Sequence, residues 1–296
     1  MQRISVLTTI LAIGLIQTSS GLSENEQKLV SANNNFALRL LKILPSYGNK
    51  NVFFSPYSLS TALGMAYAGA RGTTQNEMSQ ALGYTQAGLD DDDVLEAFAH
   101  QNNRLQSESA RVGIDVANSA AFQEGFPILE SYYAALTHIF NAHLLKLDFV
   151  HKRQEAVEDI NAWVKRGTHD KIETLFEYPI RTDTKLLLLN AIVFKGLWAS
   201  QFDRALTEKG PFYNRGQDRT EVDVMFQRLK TNNTFDATLQ ATVVEMLYRG
   251  DDYSMVIVLP SERTGVQSLK QNLTIAKLDA VLASLANTNV ALHLPK

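Results

Sequence analysis

Cysteine is absent from all 296 residues. Thiol nucleophiles, sulfur-ligated zinc and iron–sulfur chemistry are thereby excluded, and a fold without disulfides must be held together by burial alone. A basic surplus is lacking too. The 28 Lys and Arg stand against 31 Asp and Glu, a formal charge of −3, whereas neutralising a phosphate backbone needs excess cations. No nucleic-acid partner is expected. Past Ile16 no apolar run approaches the length of a membrane span. Local enzyme signatures are also missing: there is no G-x-S-x-G elbow, no S-x-x-K, no H-E-x-x-H and no Walker loop. His100, His138, His143, His151, His169 and His293 are scattered without ligand spacing. Neither a metal nor a cofactor is expected.

What remains is ordinary globular material, 45% apolar, enough for one large core or two small ones. Residues 1–21 read as a secretory leader. Arg3 gives a positive start, Ile4 to Ile16 is almost unbroken apolar sequence, and Thr18, Ser19, Ser20 and Gly21 are small enough for cleavage. That apolar stretch is short for a bilayer. The expectation is therefore a leader, 1–21, and one exported soluble domain, 22–296, with no membrane anchor.

Periodicity outlines the elements. Asn33 to Leu44 has a helical apolar face, broken by Pro45, Gly48 and Asn49. A helix from Gln75 to Leu82 closes at Gly83. The run Asp90 to Asp93 suggests either a calcium loop or a solvated helix start; without the alternating glycine-containing pattern, the helix start is favoured. Val112 to Phe122 suits a strand, Ile128 to Ala142 a helix, and Leu144 to Phe149 a short strand. Glu155 to Arg166 is amphipathic, with Val157, Ile160 and Val164 on one face. Lys185 to Phe194 is a continuous apolar run, read as a central strand covered on both faces. Val243 to Tyr248 and Tyr253 to Leu259 flank a turn and read as a hairpin. Its Arg249-Gly-Asp251 suggests integrin-like adhesion, although a tight hairpin explains the tripeptide without a partner. Lys277 to Leu285 is a helix and Val290 to Lys296 an alternating strand. With no βαβ rhythm and no repeat, the class is α+β.

The segment Asn51 to Thr74 carries the most information. Ser55 offers an N-cap oxygen and Pro56 suits the first helical position. Leu59, Ala62, Leu63, Met65, Ala66 and Ala68 then leave hardly any polar face, so this helix must be surrounded by protein. Gly69 and Gly72 read as stops, and Thr74 with Glu77 as a capping box opening the next helix. Ser55 and Ser58 carry hydroxyls into that interior. An exported serine hydrolase using Ser58 is one reading, but no base is visible and core hydrogen bonding is favoured. Asn190 interrupts an apolar strand. Its carboxamide needs partners, since each bare buried polar group costs about 1–3 kcal/mol. Two sequons, Asn232-Asn-Thr234 and Asn272-Leu-Thr274, are candidate N-glycosylation sites, with Asn232 in the more polar stretch the better acceptor.

Taken together, these segments resemble the serpins, the family of serpin-type serine-protease inhibitors, over nearly all of the chain from Ser31. Besides Asn51 to Thr74, the likeness rests on Ile160-Asn-Ala-Trp-Val164 with Thr168-His-Asp-Lys-Ile172, on Leu189-Asn-Ala-Ile-Val-Phe-Lys-Gly-Leu-Trp198, on Tyr253 to Pro260, and on Leu292-His-Leu-Pro-Lys296. The resemblance implies a fold of large mixed and antiparallel sheets with surrounding helices. It also implies suicide inhibition of a serine protease, in which a cleaved bait loop enters the main sheet as an added strand. Ser55, Ser58 and Asn190 would form the polar cluster under the parting strands, and Trp198 would lie beneath the top of that sheet. Family members continue past Leu-Pro-Lys into the bait loop and further strands. The expectation is thus an incomplete serpin, secreted, monomeric when complete, without the reactive bond and inactive as an inhibitor. The alternative within the family is a non-inhibitory binder or carrier.

Overall fold

The computed structural model describes residues 2–5, 11–17, 21–44 and 52–296. In chain order its first elements are β1 (Gln2–Ser5), β2 (Leu11–Gln17), α1 (Glu24–Ile43), α2 (Pro56–Gly69), α3 (Gly72–Leu82), α4 (Tyr84–Ala87) and α5 (Asp91–Val112). There follow β3 (Ile114–Gln123), α6 (Glu130–His138), β4 (His143–Leu147), α7 (Arg153–Gly167) and β5 (Leu186–Phe194). The rest are β6 (Glu208–Asn214), β7 (Asp218–Asp236), β8 (Ala241–Leu247), β9 (Tyr253–Pro260), α8 (Val266–Asn272), α9 (Ile275–Ala283) and β10 (Ala286–Pro295). These elements fall into two units, one of residues 20–37 and 53–195, the other of residues 1–19, 38–52 and 196–296.

The first unit is mainly helical. Helix α1 starts well before the expected Asn33, because Ser23 and Glu26 cap it reciprocally: the Ser23 N–H donates to Glu26 Oε2 (2.8 Å) and the Glu26 N–H to Ser23 Oγ (3.2 Å). The breakers Pro45, Gly48 and Asn49 lie outside the described residues. Helix α2 starts as the sequence indicates, with Ser55 Oγ accepting the Ser58 N–H at 3.1 Å. Helix α3 does not. It begins at Gly72 behind an extended Arg71 that makes no side-chain cap, so Thr74 and Glu77 lie within the helix and form no box. Gly72, at φ 61°, opens a helix where a stop was expected. Asp90 to Asp93 is a helix start: Asp90 and Asp93 cap each other at the head of α5. Among the described residues no group of three His, Asp or Glu could hold a metal.

Met65, Tyr67, Phe98 and Phe140 centre the core between α2, α5 and the end of α6. Gly64 is what allows that approach, since a Cβ there would come within 2.7 Å of the Phe98 ring. The unit's sheet has three strands in the order β4-β3-β5, with β4 parallel and β5 antiparallel to β3. Alternating side chains serve two cores. Leu186 and Leu188 of β5 join the core around α2, whereas Leu187, Leu189 and Ala191 join a second core beneath Val157, Ile160 and Val164 of α7. The expectation that β5 is covered on both faces therefore holds. That it is central does not: β5 pairs with β3 alone among the described residues. An unbroken apolar run reports covered faces and says nothing of hydrogen-bonded neighbours.

The second unit is built on a seven-stranded sheet in the order β1-β10-β7-β8-β9-β2, with β6 also paired to β7. The long β7 pairs successively with β6, β10 and β8. Val243, Val256 and Val258 pack on one face with α8 and α9, and Val244, Met246 and Ile257 on the other with Val290 and Leu292. The segment read as a leader supplies two edge strands. Gln2–Ser5 runs parallel to β10 and Leu11–Gln17 antiparallel to β9; the small residues Thr18 to Ser20 lie outside the described residues. No described helix is long and apolar enough to cross a membrane.

Burial raises the phenols of Tyr57, Tyr67 and Tyr132 to about 12, with Asp91 adding to the rise at Tyr67. A folded-state value above the unfolded one, about 10, gives stability that is complete below pH 10 and lost as the pH climbs through 12. The urea midpoint is expected to fall across that window, and less so in Tyr132→Phe. A midpoint that stays level from pH 10 to 12 would contradict the burial of these hydroxyls.

Candidate functional site

Asn190 stands directly opposite Asn118 in the β3–β5 register. Both have the parity of Ala120, Phe122, Leu186 and Leu188, which face the α2 core. The two carboxamides are bonded across the strands: Asn190 Nδ2 donates to Asn118 Oδ1 (2.6 Å), and Asn118 Nδ2 donates to the Phe140 carbonyl (2.7 Å). Helix α2 packs against β5. In its first turn Ser55 is the N-cap, and Ser58 Oγ is buried. Neither Ser58 Oγ nor Asn190 Oδ1 finds a hydrogen-bond partner among the described residues. One face of the sheet thus carries a chain of amide bonds that ends in an unsatisfied acceptor, facing a helix whose first turn carries an unsatisfied hydroxyl. Among the described residues no base hydrogen-bonds to Ser58 Oγ, and a nucleophile without one is not activated. The hydrolase reading finds no support here.

Trp198 belongs to the other unit. It bridges to Tyr248 and stacks on that ring, with centroids 4.4 Å apart and planes 12° apart. The Arg249 N–H donates to the Leu197 carbonyl (2.7 Å) and the Ala199 N–H to the Leu247 carbonyl (2.9 Å), so residues 197–199 run alongside the exit of β8.

The two sequons are placed differently from expectation. Asn232 sits inside β7, where its Nδ2 donates to Glu245 Oε2 (2.8 Å) and its Oδ1 accepts from Asn287 (2.9 Å). Asn272 is exposed at the end of α8, and Thr274 caps α9. The Asn272 Nδ2 donates to Ser268 Oγ (3.3 Å). Polarity in Thr231-Asn-Asn-Thr234 marks strand positions bonded to neighbours, not a loop.

The sequence profile of the family described as Serpin (serine protease inhibitor) matches residues 31–296. The chain belongs to the serpin family. Iripin-2 of Ixodes ricinus is 50% identical over 274 residues, which are 93% of this serpin and 69% of that relative. Intracellular coagulation inhibitor 1 of Tachypleus tridentatus is 37% identical over 269 residues, 91% of this chain and 64% of that one. Among solved structures, reaction loop cleaved lamprey angiotensinogen superposes with a TM-score of 0.81 at 30% identity, covering 92% of this serpin and 79% of that chain. The family is one of serine-protease inhibitors and not of enzymes, and the mixed α+β architecture is its fold.

Asn118 is the residue of the polar cluster that the sequence did not single out. Its signal was the same as that of Asn190, a carboxamide inside an apolar strand (Val116-Ala-Asn-Ser-Ala-Ala-Phe122), but the alternation of β3 made a polar residue unremarkable there. Asn118→Ala strips the Asn190 amide and the Phe140 carbonyl of their partners at once. It is expected to cost about 1–3 kcal/mol in chemical denaturation, whereas Asn103→Ala on the exposed side of α5 should change little.

Proposed function

We propose that this serpin is a secreted inhibitor of serine proteases whose three-stranded sheet takes up a protease-cleaved loop as a new strand beside β5. The observation that carries the reading is that, among the described residues, β5 pairs with β3 alone while two buried polar atoms without a partner, Ser58 Oγ and Asn190 Oδ1, lie on the elements that would have to part. A packed hydrocarbon contact resists separation, whereas polar groups can exchange partners. Ser55, Ser58, Asn190 and, from the structure, Asn118 act in this reading as the latch, and Trp198 as the aromatic anchor of the strand exit. The leader 1–21 supports export, and Asn272 is the residue that would carry a glycan. The partner is a serine protease, engaged by a monomer, with neither nucleic acid nor membrane involved.

The residues matched to Iripin-2 make up 69% of that relative, and inhibition of this kind is read as a covalent complex with trypsin-like or elastase-like proteases. A fusion of residues 22–296 to the part of Iripin-2 that follows the matched region should form one, visible as a stable high-mass band in denaturing gels. A fusion that melts cooperatively yet traps no protease in the panel would favour the non-inhibitory carrier reading. Glycopeptide mapping of the chain from an exporting eukaryotic cell is expected to find the sugar on Asn272 and not on Asn232. A glycan on Asn232 alone would reverse that assignment.

A further inference from the structure

The turn between β8 and β9 carries charges that its own geometry does not require. The Asp251 N–H donates to the Tyr248 carbonyl (3.0 Å), closing a four-residue turn with Gly250 at its third position. Gly250 has φ 99°, which a side chain tolerates poorly, so the fold demands glycine there. Asp251, at φ 61°, needs a residue that accepts the left-handed region, a role asparagine or glycine fills as well as aspartate. Arg249 meets no conformational demand; its backbone N–H is held by the Leu197 carbonyl. Both Arg249 and Asp251 are exposed. A tight hairpin therefore accounts for the glycine of Arg249-Gly-Asp251 and leaves its cation and carboxylate unexplained.

The support under the turn is rigid. The Tyr248 N–H donates to the Tyr253 carbonyl (3.0 Å), Trp198 stacks on Tyr248, and residues 197–199 brace the strand exit from the side. Such a turn loses little freedom on binding, which favours affinity from few contacts. Opposite charges flanking a glycine on a braced tip suit one recognition chemistry in particular. It is a receptor that holds a carboxylate on a bound divalent cation and a guanidinium between its own carboxylates.

We propose that the β8–β9 turn is a docking site for a cell-surface adhesion receptor of the integrin type, with Asp251 as the metal-directed carboxylate and Arg249 as the cationic contact. The test of this surface uses no protease. The full chain is immobilised and probed with cells that bind Gly-Arg-Gly-Asp-Ser peptide, with manganese or with EDTA. Adhesion is expected with manganese, to be abolished by EDTA and to be competed by the free peptide. Asp251→Asn preserves the turn and should reduce adhesion more than about tenfold, and Arg249→Ala comparably. Both variants should keep the parent melting temperature, which separates lost recognition from lost fold. No cation-dependent adhesion by the parent chain, or adhesion by Asp251→Asn equal to the parent, would overturn the proposal.

Discussion

A polar group taken out of water must be given a partner, and the space between α2 and the β3–β5 strands is where that requirement presses hardest on this fold. Asn118 meets it fully, donating to a carbonyl and accepting from Asn190. Asn190 meets it by half, and Ser58 does not meet it at its hydroxyl. Orphaned buried groups are uncommon in folded proteins because each sacrifices about 1–3 kcal/mol. Among the described residues Asn33, Thr61, Tyr84 and Ser254 also keep a buried polar atom without a partner, but Ser58 and Asn190 lie on a helix and a strand that pack together. Polar groups at such a seam can exchange partners, which packed hydrocarbon cannot do.

Edges decide what such a seam can do. Among the described residues β5 pairs with β3 alone, and a strand edge is a place where another strand can add. The larger sheet solves the same problem differently, since β1 and β2 cover β10 and β9. The covering strands come from the segment whose composition also suits translocation. These two readings share a cause: isoleucine, leucine, valine and threonine satisfy an export signal and a strand alike.

Much of this was legible in the sequence, and for identifiable reasons. The buried helix α2 could be read because cap, proline and absence of a polar face all agree. Helices α7 and α9 followed from periodicity. The failures share a different logic. The start of α3 was misplaced because a Thr–Glu spacing matches a capping box wherever it occurs, and only the extended Arg71 shows where the helix begins. The neighbour of β5 was invisible because apolar runs encode faces and not ladders. Asn118 went unnoticed because alternation excuses polar residues singly, and only register shows that two of them meet.

The β8–β9 turn shows how conformational demand and chemical identity can be separated. A glycine at φ 99° and a residue at φ 61° are what the backbone requires of the turn, and many sequences would supply them. Arginine before and aspartate after are exposed, so neither packs into the fold. The seam under β5 presents the same excess in another form, polar atoms where hydrocarbon would pack better. In both places the residues exceed what the backbone asks of them, and on that ground we propose an incoming strand at the seam and a receptor at the turn.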